Sequence, residues 1–473
     1  MKKSILVAAM CISAVSGYAK ESKPNVLMIF VDDLHYGALG FTGSVMTKAK
    51  TPRIDRLFNE GVFFPNAYAT HATCAPSRGG LLTGRYQARF NHETLPGKSK
   101  DREETNYGIK TSEIMMPVFM KQGGYATAAF GKWHVGYNTE FQPNARGFDY
   151  FFGYRGQCSY YQFGSQNKSA NKREELKPVS DREEPILDIV RNGKSLRVPG
   201  YLTDHFTNDA ADWMKKQAAA DQPFFVYFAP FNVHGPNTVP AKYIPKGGTP
   251  HDGVIAAMDA SVGTLLDAID EAGVTDHTLV VFANDNGGKK DYTRTFRGNK
   301  ATFYQGGIRV PFAMRWPGRI KAGTTFDGMV STLDMLPTFA ALAGAELPTD
   351  RVYDGKDLMP FIDGDKPAEE LRQTHFWRNG GCRAAINGDW KMLWFADKRK
   401  HKALLEKLGI VNKKGRKVIY AERADSLYTV VELYNLADDP MESKDLSKSH
   451  PEKVQEMIKT YRDWEETIPK WNE

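Results

Sequence analysis

Apolar and polar positions fall into two kinds of block along most of the chain. Residues 25–31 (Asn-Val-Leu-Met-Ile-Phe-Val) form a continuous apolar run rich in branched side chains, the pattern of a strand buried on both faces. Residues 125–130, 224–229 and 278–283 repeat that pattern. Helical patterns separate these runs. Residues 52–61 read as a short helix with Thr51 as N-cap and Pro52 at its first position. Residues 75–83 and 115–123 read as two more helices. In 252–272, Val254, Met258, Val262, Leu265, Leu266 and Ile269 recur at helical spacing. Strands that alternate with helices predict an α/β body, a large mixed sheet sandwiched by helices.

The texture changes twice. Residues 158–200 are an insertion, polar and charged from 165 onward, and within it 189–196 carries an Asn192-Gly193 hairpin turn. After about residue 370, segments 383–395 and 427–436 read as strands and 451–466 as a helix, with a basic loop-like segment at 398–417. The expected division is therefore a main domain over 20–370 and a smaller α+β domain with an antiparallel sheet over 371–473. Polar clusters stand just after predicted strands: Asp32-Asp33, Gly131-Lys132-Trp133-His134, the segment ending at His234, and Asp285-Asn286-Gly287-Gly288. Open α/β sheets place their ligands at such carboxyl ends.

Composition narrows the class. Hydrophobic residues make up 41% and charged residues 25%, which excludes a disordered chain, a fibre and a small disulfide scaffold. The net charge of +7 is mild and spread out, so no nucleic acid partner is expected, while an anionic substrate is compatible with it. Lys2 and Lys3, an apolar run over 4–15 and Gly17-Tyr18-Ala19 describe a signal peptide over 1–19, and predict a periplasmic or secreted protein. No other stretch is apolar for long enough to span a bilayer. Of four cysteines, Cys11 lies in that leader, which leaves Cys74, Cys158 and Cys382. That odd number in an oxidising compartment means a free thiol or a cysteine with another task. Cys158 and Cys382 are candidates to pair.

The segment Cys74-Ala75-Pro76-Ser77-Arg78, followed by Thr83-Gly84-Arg85, carries the most specific signal. It resembles the formylglycine-dependent sulfatases of the alkaline phosphatase superfamily, whose motif is Cys-x-Pro-x-Arg and then Thr-Gly-Arg. Similar segments follow in order: 25–33, 131–136, His234-Gly235-Pro236, Asp285-Asn286-Gly287, 298–311, and Glu432 to Leu436 with Asp438-Asp439-Pro440-Met441-Glu442. The look is closest to bacterial carbohydrate sulfatases.

The resemblance implies that a maturation enzyme oxidises Cys74 to formylglycine, and that a hydroxyl of the hydrated aldehyde attacks the sulfur of a sulfate ester. Such a reaction needs a hard cation, fixed positive charge and a proton donor for the leaving group. Asp32, Asp33, Asp285 and Asn286 offer hard oxygen ligands suited to Ca²⁺ or Mg²⁺, and the family usually holds one calcium ion with these positions plus the residue at Cys74. By the same resemblance Arg78 and Lys132 contact the aldehyde and sulfate, and His134 takes a proton when sulfate leaves. His234 and Lys300 are both candidates for the leaving-group acid. Lys132 and His134, two apart on an extended loop, would face one pocket. One position departs from the family: Gln305 stands where a glutamate is frequent, which puts in doubt a supporting role for that carboxylate.

The expected substrate is a sulfated carbohydrate, a marine galactan such as carrageenan among the candidates. Arg155, His205 and His251 are candidate sugar contacts. Trp213, Trp316, Trp377, Trp390 and Trp394 are better read as core than as sugar platforms. Two other functions fit parts of the pattern. A phosphoester or phosphonate hydrolase of the same superfamily would typically bring two zinc ions and a Ser or Thr nucleophile, and the oxygen-rich set and the cysteine argue against it. A non-catalytic glycan-binding protein would tolerate a broken site, and none of the expected positions is missing.

Overall fold

A computed structural model describes residues 23–43, 47–95, 107–156, 189–289, 295–396 and 428–469. The leader, Cys158, most of the 158–200 insertion and the basic 398–417 segment lie outside the described residues.

The strands of the main body are β1 (Asn25–Val31), β2 (Val62–Phe63), β3 (Ala67–Tyr68), β4 (Ala126–Lys132), β5 (Tyr150–Tyr154), β6 (Ile189–Arg191), β7 (Lys194–Ser195), β8 (Phe224–Ala229), β9 (Thr278–Asn284), β10 (Ala313–Arg315), β11 (Thr324–Thr325) and β12 (Val330–Ser331). Ten of them form one sheet in the order β11-β2-β10-β9-β1-β8-β4-β5-β6-β7, and β3 pairs with β12 alone. The middle, β9-β1-β8-β4-β5, is parallel, whereas β10 and the β6-β7 hairpin run antiparallel. Asn192 and Gly193 both have positive φ, as the hairpin turn requires.

Every residue of β1 is buried, and its two faces feed different cores. Leu27, Ile29 and Val31 pack with α1 (Pro52–Asn59), α4 (Leu202–Ala219) and α5 (Pro250–Glu271). Val26, Met28 and Phe30 pack with α2 (Cys74–Thr83), α3 (Met116–Gln122) and α6 (Met335–Ala343). The two-residue period of a strand thus puts helices on both faces of the sheet. Thr51 precedes α1 without capping it: its hydroxyl bonds the Asp55 carboxylate at 2.9 Å instead.

Four antiparallel strands follow, β13 (Thr374–Asn379), β14 (Cys382–Asn387), β15 (Trp390–Ala396) and β16 (Tyr428–Asn435). The first of these has no counterpart in the sequence reading. One face packs on α7 (Pro451–Glu466) through Phe376, Met392, Leu433, Met457 and Tyr461. Its other face, with Trp377, Leu393 and Tyr434, packs against Tyr68, Ala72 and Phe303 of the main body. Trp316, Trp377 and Trp394 are buried. Cys382 is a buried free thiol, and its candidate partner Cys158 lies outside the described residues. Among the described residues no helix is long and apolar enough to cross a membrane.

A buried ion pair ties the C-terminal sheet to the main body. Lys391 in β15 and Glu442 are fully buried, 2.6 Å apart, and the second carboxylate oxygen of Glu442 accepts the Gln305 amide at 2.7 Å. Lys391→Met is expected to destabilise the protein by about 3–5 kcal/mol, because it strands a buried carboxylate. The double variant with Glu442→Gln should recover most of that loss, and thermal melts of the three proteins check both outcomes.

Candidate active site

The carboxyl ends of β1, β4, β8 and β9 deliver the polar residues. Asp32 and Asp33 follow β1, Asp285 and Asn286 follow β9, and Lys132 is the last residue of β4. Hydrogen bonds between these loops hold them in register. The Asp32 amide donates to Asn232 O at 2.8 Å, and the Asp33 amide to Asp285 Oδ1 at 3.2 Å. Asn284 Oδ1 accepts the Leu34 amide at 3.2 Å. Asp33 and His134 both sit at positive φ, so His134 does not lie on the extended loop expected for it. Its amide donates to Arg155 O at 3.0 Å, two residues beyond the end of β4. Gly131 is needed beside Lys132: its φ is 91°, and a Cβ there would lie 2.2 Å from Ala229 O.

Cys74 is the first residue of α2, one position earlier than the sequence pattern placed the helix start. The helix is buried throughout, and its positive end points at the carboxylates. Cys74 Sγ lies 3.4 Å from Asp32 Oδ1 and receives Lys300 Nζ at 3.0 Å. Lys132 Nζ bonds Asp32 Oδ2 at 2.5 Å, and Lys300 Nζ bonds Asp33 Oδ1 at 2.5 Å. One helical turn after Cys74, Arg78 donates to Asp285 Oδ2 at 3.0 Å, to Lys132 O at 3.2 Å and to the Tyr227 hydroxyl at 3.2 Å. His234 Nδ1 pairs with Gly235 O at 2.6 Å, which leaves its Nε2 lone pair facing Asp33 Oδ2 at 3.6 Å.

Burial sets the protonation of this group. It pushes the Cys74 thiol up to about 12, so the thiol is not ionised at neutral pH and is a poor nucleophile. Burial also pushes up Asp32, but Lys132, then His234 and Arg78, outweigh it and hold that carboxyl well below its usual range. Asp285 goes the other way, to about 7, through burial and repulsion from Asp32. Burial, then Lys132 and Arg78, keeps His134 neutral far below its usual value. Burial brings His234 to about 4. Burial opposes the charge on Lys300, yet Cys74, Asp33 and Asp32 raise it well above the ordinary lysine value, so it keeps its proton.

The residues fit a hard cation. Ligand atoms of Asp32, Asp33, Cys74 and His234 all lie within 4.8 Å of one another. Asp33 Oδ2 and Asn286 Oδ1 are buried without a hydrogen-bond partner, and such atoms demand a ligand. A divalent ion would also explain why Asp285 resists ionisation in its absence. His234 joins the carboxylates although the sequence reading assigned it only a proton. Gln305 lies elsewhere, its amide oxygen accepting the Tyr68 hydroxyl at 3.2 Å.

The candidate sugar contacts separate. The backbone of Arg155 supports His134, and its guanidinium reaches Tyr137 O at 3.4 Å. His251 accepts from Asn237 at 3.1 Å and stacks on His35 with ring centres 6.0 Å apart. His205 is exposed and bonds Pro199 O at 2.7 Å; among the described residues it makes no contact with the cluster. Residues missed in the sequence support the site from below: Tyr227, a lone hydroxyl in an apolar strand, and Asn232, whose amide joins Thr203 to Val254 O.

The sequence profile of the sulfatase family matches residues 24–345, and that of the N-sulphoglucosamine sulphohydrolase C-terminal region matches 297–465. An N-acetylgalactosamine-6-sulfatase of Canis lupus familiaris is 31% identical over 78% of this chain and 71% of its own. An N-acetylgalactosamine-6-O-sulfatase of Bacteroides thetaiotaomicron is 30% identical over 92% of both chains. The crystal structure of Ps i-CgsB superposes with a TM-score of 0.76 and 30% identity, over 93% of this chain and 92% of that one. The same protein has been solved in complex with k-i-k-neocarrahexaose.

Cation binding requires the ionised form of Asp285, so it should strengthen as pH rises through about 7. Without the cation, the raised Asp285 contributes stability below its unfolded value of 3.8 that is lost as pH rises toward 7. Asp32 acts oppositely, but only below its unfolded value of 3.8. His134 and His234, held neutral in the folded chain, lose stability as pH falls below their unfolded value of 6.5 and oppose the Asp285 effect. The readout is therefore the cation's own contribution: added Ca²⁺ should raise the melting temperature of chelated protein more at pH 8 than at pH 5.5.

Proposed function

Because the chain belongs to the sulfatase family and is a sulfuric ester hydrolase, we propose that it is an exported enzyme that removes sulfate from a carbohydrate, with formylglycine at position 74 and one calcium ion. The observation that carries the reading is the placement of Cys74 at the buried start of α2, between Lys300 at 3.0 Å and Asp32 at 3.4 Å. A protonated thiol there is chemically idle, and conversion to an aldehyde gives the position a use. When formed, formylglycine supplies a hydroxyl nucleophile, and calcium supplies charge stabilisation to sulfuryl oxygens.

The chain's own residues would do the rest. Lys132, Lys300 and Arg78 present fixed positive charge to the sulfate, and the low local dielectric strengthens their pull. Neutral His134 is able to take a proton from the nucleophile's position. Of the two candidate acids, Lys300 is charged in the resting site, whereas neutral His234 has its one proton on Nδ1 against Gly235 O, which favours Lys300 for protonating the leaving oxygen. The signal-like residues 1–19 support export to the periplasm or beyond, where a formylglycine-generating enzyme would have acted first.

For the substrate, the likeness to Ps i-CgsB and its neocarrahexaose complex favours a sulfated galactan such as carrageenan. The likeness to N-acetylgalactosamine-6-sulfatases favours a sulfated amino sugar. Arg155 and His251 are the candidate contacts best placed to choose between them.

The test is release of free sulfate and free phosphate from defined sulfated oligosaccharides, an aryl sulfate and an aryl phosphate. Peptide mass first establishes the aldehyde at position 74. Sulfate from one oligosaccharide is the expected result; phosphate alone overturns the reading. Cys74→Ala should lower sulfate release by about 10⁴-fold or more while the melting temperature stays close to that of wild type, since it removes the nucleophile and no carboxylate.

A further inference from the structure

We propose that His71 is a positioning residue for the reaction: its imidazole holds the chain just before Cys74 and so sets where the residue at position 74 points. The inference rests on position 74 being the reacting group.

His71 is 2% exposed and stands where three parts of the molecule meet. The Thr73 amide donates to its Nδ1 at 3.1 Å, and the Thr73 hydroxyl lies 2.8 Å from the same atom. A backbone amide only donates, so Nδ1 carries the lone pair and Nε2 the hydrogen. Nε2 then donates to Arg378 O at 3.2 Å, in β13 of the C-terminal sheet. That strand is itself anchored, since the Arg378 guanidinium holds both Glu93 oxygens at 2.8 and 2.7 Å. The ring also stands edge-on to Phe303 with centres 5.4 Å apart. The loop of Lys300 leans on the same segment, with the Ala301 amide donating to Ala72 O at 2.8 Å.

The geometry substitutes for an ordinary helix cap. Thr73 occupies the cap position of α2, yet its side chain makes no capping bond. A threonine there would ordinarily turn its hydroxyl toward the helix amides. Here the hydroxyl turns back to His71, and the first turn is closed by the backbone, with the Ser77 amide on Thr73 O at 3.2 Å. The direction in which the helix presents Cys74 is therefore set by a ring three residues upstream, whose own orientation and tautomer are fixed by the C-terminal sheet.

Three variants separate this role from mere packing. In His71→Asn, Oδ1 takes the place of Nδ1 and accepts the Thr73 amide two residues on. In His71→Gln, the amide reaches the place of Nε2 and leaves Thr73 unheld. His71→Ala loses both bonds. With formylglycine content matched by peptide mass and an aryl sulfate as substrate, His71→Ala and His71→Gln should lower kcat about 10- to 100-fold with KM changed by less than about 3-fold. His71→Asn should stay within about 3-fold of wild type. Hydrogen exchange of the 72–78 peptide should accelerate in the Ala and Gln proteins and not in the Asn protein. Equal losses in Asn and Gln, or wild-type rates in all three, overturn the proposal. Should the Ala protein fail to fold, the Asn–Gln pair still decides. A wild type that releases no sulfate refutes the functional reading, while the exchange order still decides the positioning role.

Discussion

Asp32, Asp33 and Asp285 meet Lys132, Lys300 and Arg78 in a space that excludes water, and most of the fold serves to keep those charges matched. Isolated, any one of them would cost several kcal/mol to bury. Each cation is therefore set on a different element, β4, α2 or the 297–304 loop, and each is brought against a carboxylate that follows β1 or β9. The match is incomplete by design: one carboxylate oxygen and one amide oxygen are left over, and Asp285 is pushed toward neutrality. A site with surplus buried oxygen is a site built around a positive ion.

The same constraint explains the placement of the thiol. A cysteine held deep in apolar and acidic surroundings is inert as a thiol. Cys382 is inert for the same reason, burial above all pushing it up to about 12. The two differ in what faces them. Cys382 bonds a neighbouring carbonyl, Arg383 O at 3.4 Å, whereas Cys74 faces a lysine ammonium and an aspartate at the start of a helix.

The aspartates and the lysine of β4 were legible because each ends an apolar run, and the end of a buried parallel strand is where polar residues can meet. Cys74 and Arg78 were legible through their motif. The supports were not. Tyr227 and Asn232 read as ordinary members of a strand and a loop until β8 is laid between β1 and β4. His134 was legible as a residue but not as a left-handed one, since no local pattern announces a positive φ outside glycine. β13 escaped because Thr374-His-Phe-Trp-Arg-Asn379 has too few branched residues to declare itself, and its pairing with β14 supplies what propensity lacks. His205, a candidate sugar contact, is turned to Pro199 O, which no local pattern announces.

The seat of the C-terminal sheet has a consequence for the order of events during synthesis. Trp377 Nε1 donates to Ala69 O at 2.8 Å across 308 residues of chain, and Tyr434 packs against the same wall. The segment around Cys74 is thus walled on one side by chain that is made well after it. Until β13 to β16 arrive, that wall is missing. Once they dock, it is sealed. Anything that has to reach that cysteine from outside reaches it more readily before β13 to β16 dock than after.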